Sequence, residues 1–442
     1  MHLYRNARIP IACLQPGLAA ACTQDTLLEP WLACDIQVDG PRIVSVTSHA
    51  DRVVAPVNTA VTDLNGALVW PGLIDAHVHL DKTHTWDRAP NPTGEFWDAC
   101  RILNTDSSKW SEADVYQRAN YALECAWMHG TVAMRTHVDT GPVSGGSHAT
   151  IARLRDEWAG RITLQWVSLC GLERFAKGDA AGIIELTARY GATALGGFPQ
   201  PNPDLPRQLD YLMAAARELG IGLDLHVDES SLVAAECLRA TAEAILRNQF
   251  PYPVVCGHAC SLAVQPNERA LDTIRLVKES GIGIISLPLC NLYLQGRARN
   301  AAPTGETLGA PLTPRWRGVT MLHEMMDAGV NVACASDNVR DAFYAWGDYD
   351  ALEVYAQSVR IAHLDTRLKS SPSIVTTGAA AVIGLPEYGF IAPGARADLI
   401  VLEATTFNQL LSRPRAPRRL IRGESFLPTA NLPAYSALTG PS

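Results

Sequence analysis

His77 and His79 lie in the segment Pro71-Gly72-Leu73-Ile74-Asp75-Ala76-His77-Val78-His79-Leu80-Asp81, where an apolar run meets a polar one. Side chains alternate along a strand, so residues two apart face the same side. Two imidazoles so placed can hold one cation together, and imidazole suits zinc, iron and related metals. A lone His-x-His also fits an ordinary strand that carries a surface or core histidine, so further groups must converge before the pair marks a site.

Further groups are present. His226 opens His226-Val227-Asp228-Glu229, His258 closes Cys256-Gly257-His258, and Asp337 sits in Ser336-Asp337-Asn338. Three neutral imidazoles (His77, His79, His226) and the carboxylate of Asp337 suit a divalent ion that activates water for hydrolysis. Glu229 follows His226 by three residues and could carry the proton between water and substrate. His258 could orient the hydroxide. The alternative for Glu229 is an acidic residue in the first turn of a helix over Ser230–Asn248, favoured by the helix dipole. Cys256 and Cys260 flank His258 without the Cys-x-x-Cys spacing of structural zinc sites, and read as apolar strand cysteines.

These residues share a position in the repeat. From Ala67 onward, strands are predicted at Leu68–His79, Thr131–Asp139, Ile162–Cys170, Ala192–Phe198, Gly222–Asp228, Val254–His258, Gly283–Leu289 and Val330–Ser336. Helical periodicity fills the gaps at Ser111–His129, Ala149–Ala159, Ala181–Tyr190, Pro206–Leu219, Ser230–Asn248, Glu268–Ser280 and Arg315–Ala328, with Tyr349–His363 after the last strand. The alternation predicts an α/β fold, a (β/α)8 TIM barrel over 67–386, whose catalytic groups collect at the C-terminal strand ends. An open doubly wound sheet fits less well, because the Gly-Gly pairs at 145–146 and 196–197 lack nucleotide-loop spacing. Residues 1–66 and 387–442 read as hairpin strands, expected to pair as one small β-sandwich domain.

The chain has 442 residues, 47% of them hydrophobic, and a net charge of −8 without charge runs. That is ample for a large core, and it argues against a nucleic-acid or polybasic membrane surface. No apolar stretch approaches the ~20 residues of a membrane helix, and the start has no signal-peptide core. Eleven scattered cysteines suit reduced thiols in a cytoplasm.

The segment Pro71–His79, with His226, His258 and Asp337 in order, resembles the amidohydrolase superfamily along nearly the whole chain. Within it, His77-Val78-His79-Leu80-Asp81-Lys82-Thr83, Arg135-Thr136-His137-Val138-Asp139, His226-Val227-Asp228-Glu229 and Asn291-Leu292-Tyr293-Leu294-Gln295-Gly296-Arg297 resemble bacterial cytosine deaminases. The resemblance implies one zinc or iron ion on His77, His79, His226 and Asp337, with Glu229 shuttling protons and His258 assisting. Two-metal members use a strand-four lysine, and Ala192–Phe198 contains none.

The substrate pocket departs from that family. Ser168-Leu169-Cys170-Gly171-Leu172 replaces a ring-reading glutamine, Asn338 replaces a second aspartate, and Phe343 stands in for an indole. Ser336-Asp337-Asn338-Val339-Arg340-Asp341 is similar to the N-isopropylammelide amidohydrolases instead. Leu169, Gly171, Gln295, Asn338, Arg340 and Phe343 are therefore expected to surround the substrate, although Arg340 could equally pair with Asp341 or a neighbouring loop. The resemblance implies hydrolytic deamination of a cytosine-like heterocycle, with a pterin, isocytosine, creatinine or triazine ring, or an N-substituted triazine, as alternatives. A metal-free barrel serving as a binding protein is the reading outside catalysis. Expected partners are a small heterocycle and further copies of the chain in a homo-oligomer.

Overall fold

Gly72 splits the first apolar run into two strands that belong to different sheets. Val69–Pro71 pairs antiparallel with Asp398–Leu402, whereas Leu73–Val78 pairs parallel with Thr131–Asp139. A Cβ at Gly72 would lie 2.4 Å from Val132 Cγ1, so any larger residue would collide where the chain changes sheet. The single strand predicted over Leu68–His79 is thus two. The computed structural model describes residues 1–20, 28–51, 54–141, 146–176, 179–299, 309–427 and 432–439.

Leu73–Val78 begins an eight-stranded parallel sheet. Thr131–Asp139, Thr163–Cys170, Ala194–Gly197, Gly222–Val227, Val254–His258, Gly283–Ser286 and Val332–Cys334 follow, each beside its predecessor. A parallel bridge between Val78 and Asp337 joins the last strand's exit to the first, and the fold is a (β/α)8 barrel. Helix Glu112–His129 shows how local sequence sets the layer outside the strands. The Ser111 hydroxyl accepts the Asp114 N–H at 3.2 Å, and Gly130 ends the helix with φ 99°, a left-handed stop open to glycine.

Several predicted elements are shorter than expected, and three of them shape the strand exits. The helix expected from Ser230 begins at Cys237, where the Asp228 carboxylate accepts the N–H groups of Cys237 and Leu238, each at 2.9 Å. Residues 230–236 form a loop. The seventh strand stops at Ser286 because Pro288 opens a new helix, Pro288–Leu294; proline suits the first helical turn and cannot extend a ladder. The helix expected over Arg315–Ala328 is reduced to Leu322–Asp327.

Two four-stranded sheets stand beside the barrel. One runs Arg42–Ser48, Trp31–Asp39, His2–Pro10, Ala60–Asp63; the other runs Ser425–Phe426, Arg418–Arg422, Asp398–Leu402, Val69–Pro71. Tyr4, Ile9, Ile36, Val69, Leu399 and Ile421 share one apolar cluster between them, the arrangement of a sandwich. No helix of the described residues is long and apolar enough to cross a membrane. No disulfide joins two of the described cysteines.

Candidate active site

The barrel exits bring the predicted ligands together in a buried cluster. His79 Nε2 lies 3.3 Å from Asp337 Oδ1 and 3.2 Å from His226 Nε2, and His77 Nε2 lies 3.6 Å from Asp337 Oδ1. One ring nitrogen each of His77, His79, His137 and His226 lies within 4.8 Å of the others. His77, Asp337 and His258 form a second such group.

The donor set fits a divalent transition ion. Both ring nitrogens of His77, Nδ1 of His226 and both carboxylate oxygens of Asp337 are buried without a hydrogen-bond partner. Orphaned buried polar atoms are costly, and a cation is what lone pairs of this kind satisfy. Burial, reinforced by the neighbouring imidazoles, holds His77 and His226 well below the ordinary histidine range; for His79 burial is joined first by the Lys82 ammonium. All three therefore stay neutral, the form that binds metal. Burial pushes the Asp337 carboxyl up to about 7.

Glu229 stands beside the cluster. Its Oε1 accepts the Asn291 amide at 3.0 Å and lies 3.3 Å from His258 Nδ1, and Asn291 Nδ2 is 3.1 Å from that same nitrogen. Burial, then the Asp337 carboxylate, drives the Glu229 carboxyl well above its usual range. Because helix Cys237–Asn248 begins eight residues later and is capped by Asp228, Glu229 occupies no helix first turn. That alternative is removed.

The sequence profile of the amidohydrolase family matches residues 184–424. Over 388 residues, 87% of this chain and 86% of the relative, the sequence is 42% identical to a pterin deaminase of Rhizobium rhizogenes. The chain belongs to the amidohydrolase family. It is also 25% identical, over 84% of this chain and 87% of the relative, to an N-isopropylammelide isopropyl amidohydrolase of a Pseudomonas species. The crystal structure of 5-methylcytosine deaminase from Klebsiella pneumoniae with 5-fluorocytosine has the same fold, at a TM-score of 0.80 and 24% identity over 98% of each chain.

Around this amidohydrolase cluster the predicted substrate-facing residues divide. Gln295 is buried and donates to the Glu229 carbonyl at 3.1 Å. Asn338 is buried next to Asp337, with its amide donating to Asp341 Oδ2 at 2.7 Å. Asp341 also accepts the Phe343 N–H at 2.8 Å, so one carboxylate shapes the loop after strand eight. Phe343 packs against Phe96 with ring centroids 5.4 Å apart. Leu169 and Gly171 end the third strand: the Leu169 carbonyl accepts the Thr140 N–H at 2.7 Å, and Gly171 lies against the Glu173 carboxylate. Arg340 is the exception. Its guanidinium binds Asp87 at 2.9 Å and lies 4.4 Å over the Tyr435 ring. These are contacts of the neighbouring-loop alternative.

Sequence reasoning left out two members of the site. His137, at the exit of strand two, has its ring 4.0 Å from the His77 ring and tilted to it by 37°, with Nε2 3.2 Å from the buried Asp224 carboxylate. Asn291 bridges Glu229 and His258. Both stand in the family-like segments, yet neither spacing nor residue type separates them from ordinary strand-end polar residues. Lys82 is buried 2.7 Å from Asp139 Oδ1 and 3.5 Å from His79 Nδ1.

Proposed function

We propose that this amidohydrolase is a hydrolytic deaminase of an amino-substituted nitrogen heterocycle, and that the ring is a bicyclic amino-oxo ring of the pterin class. The observation that carries the reaction type is the contact of Glu229 with Asn291 and His258 beside the histidine cluster. The choice of ring is supported by the 42% identity to a pterin deaminase over most of both chains. Cytosine is the simpler ring in the same reaction class.

We assign one zinc or iron ion to His77, His79, His226 and Asp337. When bound, such an ion lowers the pKa of water toward neutrality. Glu229 takes a proton from the water and returns it to a ring nitrogen next to the carbon bearing the amino group. Asn291 holds one oxygen of that carboxylate, and His258, 3.3 Å from the same oxygen, helps to orient the attacking water. Glu229 then takes the second proton from the newly formed hydroxyl and passes it to the leaving amine; the carbon–nitrogen bond breaks, and ammonia departs with the water oxygen left as the ring carbonyl. Burial raises the Glu229 carboxyl, which favours its holding a proton in transit between water and ring. Burial of the surrounding residues keeps bulk water from the reacting atoms.

The test is ammonia release from pterin and cytosine, and isopropylamine release from N-isopropylammelide, by the wild type and Glu229→Gln. Pterin should give the highest kcat/KM, and the variant should fall by at least ~100-fold, the scale of a lost general acid–base group. Preference for cytosine overturns the ring assignment. No ammonia from either pterin or cytosine overturns the deaminase reading.

A further inference from the structure

We propose a second metal site, inhibitory in effect, formed by Glu229, Cys290 and Asp337. One ligand atom from each lies within 4.8 Å of the others, a group separate from the four-histidine cluster and joined to the proposed catalytic ion only through Asp337. The three come from different exits: Glu229 follows strand five, Cys290 lies in helix Pro288–Leu294 after strand seven, and Asp337 follows strand eight. Both Asp337 oxygens are fully buried and without a hydrogen-bond partner, so one can face each ion.

The thiol gives the site its selectivity. Thiolate sulfur favours zinc and cadmium, whereas magnesium and calcium take all-oxygen sets. Cys290 is 1% exposed, and its sulfur also lies 3.9 Å from Asn338 Oδ1 and 4.0 Å from the Phe343 carbonyl. As the sulfur–metal bond forms, the thiol proton leaves to solvent. Two carboxylates and a thiolate then supply three negative charges against two divalent ions that share Asp337. Adjacent ions bridged by a carboxylate at ~4 Å are ordinary in hydrolases.

The effect follows from which group is captured. A metal on the Glu229 carboxylate takes the lone pair that would accept the water proton, and it pulls that oxygen away from the Asn291 amide. Excess zinc or cadmium should therefore stop turnover while leaving the first ion in place. The inhibition rests on reading Glu229 as the proton carrier; the binding does not.

Cadmium is the probe, added to the holoenzyme already holding one equivalent of metal. Wild type should take up a second equivalent by equilibrium dialysis, show an ultraviolet thiolate-to-cadmium absorption band, and lose at least tenfold of its activity. In Cys290→Ser and Cys290→Ala, each checked for folding by circular dichroism, the band should vanish and the half-inhibitory concentration rise at least tenfold. No second equivalent, or a band that persists in both variants, overturns the site. A second equivalent bound with activity intact overturns the inhibition. Because dialysis and absorbance need no turnover, failure of the deaminase reading would show separately.

Discussion

The backbone N–H of Asp337 donates to the carbonyl of His77 at 2.9 Å, so two of the proposed ligands are joined through the main chain at the seam of the barrel. The Ser336 N–H adds a second tie there, to the Asp75 carboxylate at 2.9 Å. Any ion held by both side chains also clamps the first and last strands.

Removing the ion should therefore lower thermal stability as well as activity. A ligand at 100 times its Kd stabilises a fold by about 2.7 kcal/mol. Calorimetry before and after chelation should show a fall in Tm of several degrees that zinc or iron restores. An unchanged Tm would place the ion away from the seam.

Asn291→Ala removes the donor that holds Glu229 and leaves the carboxylate in place. Turnover should fall about 10–100-fold, less than the full loss of a general acid–base group, with metal content unchanged. The loss should appear in kcat more than in KM. A change confined to KM would make Asn291 a substrate contact only.

Gly72→Ala inserts a methyl 2.4 Å from Val132 Cγ1. Overpacking of this kind costs about 1–3 kcal/mol, measurable as a lower midpoint in urea. Pairing it with Val132→Ala should return part of the loss, and a double variant as unstable as the sum of both would refute the steric account.

Arg340→Met breaks a contact to a largely exposed carboxylate and a stacking contact on Tyr435. Each is worth at most about 1 kcal/mol in such a setting. Stability should fall slightly while the ratio of kcat/KM between pterin and cytosine stays constant. A shifted ratio would return Arg340 to the substrate pocket.

Acid should weaken the fold through histidines outside the ligand cluster. Burial brings His84 down to about 3 and His148 to about 4. With the unfolded value near 6.5, the unfolded chain takes up protons between that pH and the folded values that the folded chain refuses. The stability these groups contribute is complete above about 6.5 and is lost as pH falls, by at most about 1.4 kcal/mol per unit for each group. His148→Gln should flatten the urea-midpoint profile between pH 4 and 6.5 and leave it unchanged above 7.

The strand–helix alternation and the ligand spacing were legible because both are periodic and local. Residues His77, His79, His226 and Asp337 could be placed at one rim before any coordinates, since strand ends in a barrel share a rim. What was not legible depends on contacts between distant segments. The helix after Glu229 had the periodicity to start at Ser230, but the Asp228 carboxylate captured the N–H groups of Cys237 and Leu238 instead. Arg340 had the chemistry of a substrate anchor, and its contacts with Asp87 and Tyr435 come from elsewhere in the chain. Asn291 gains its meaning from facing Glu229, 62 residues earlier.

The division of strands at Gly72 also sets an order for synthesis. Strands His2–Pro10, Trp31–Asp39 and Arg42–Ser48 can pair as soon as they leave the ribosome, but Val69–Pro71 has no antiparallel neighbour until Asp398–Leu402 has been made. Throughout that interval the inner face carrying Tyr4, Ile9 and Ile36 has no second sheet to cover it. The nascent chain must carry this sticky surface through translation of the whole barrel, which makes the first sheet the segment where chaperones should bind and where slow elongation should cost soluble yield.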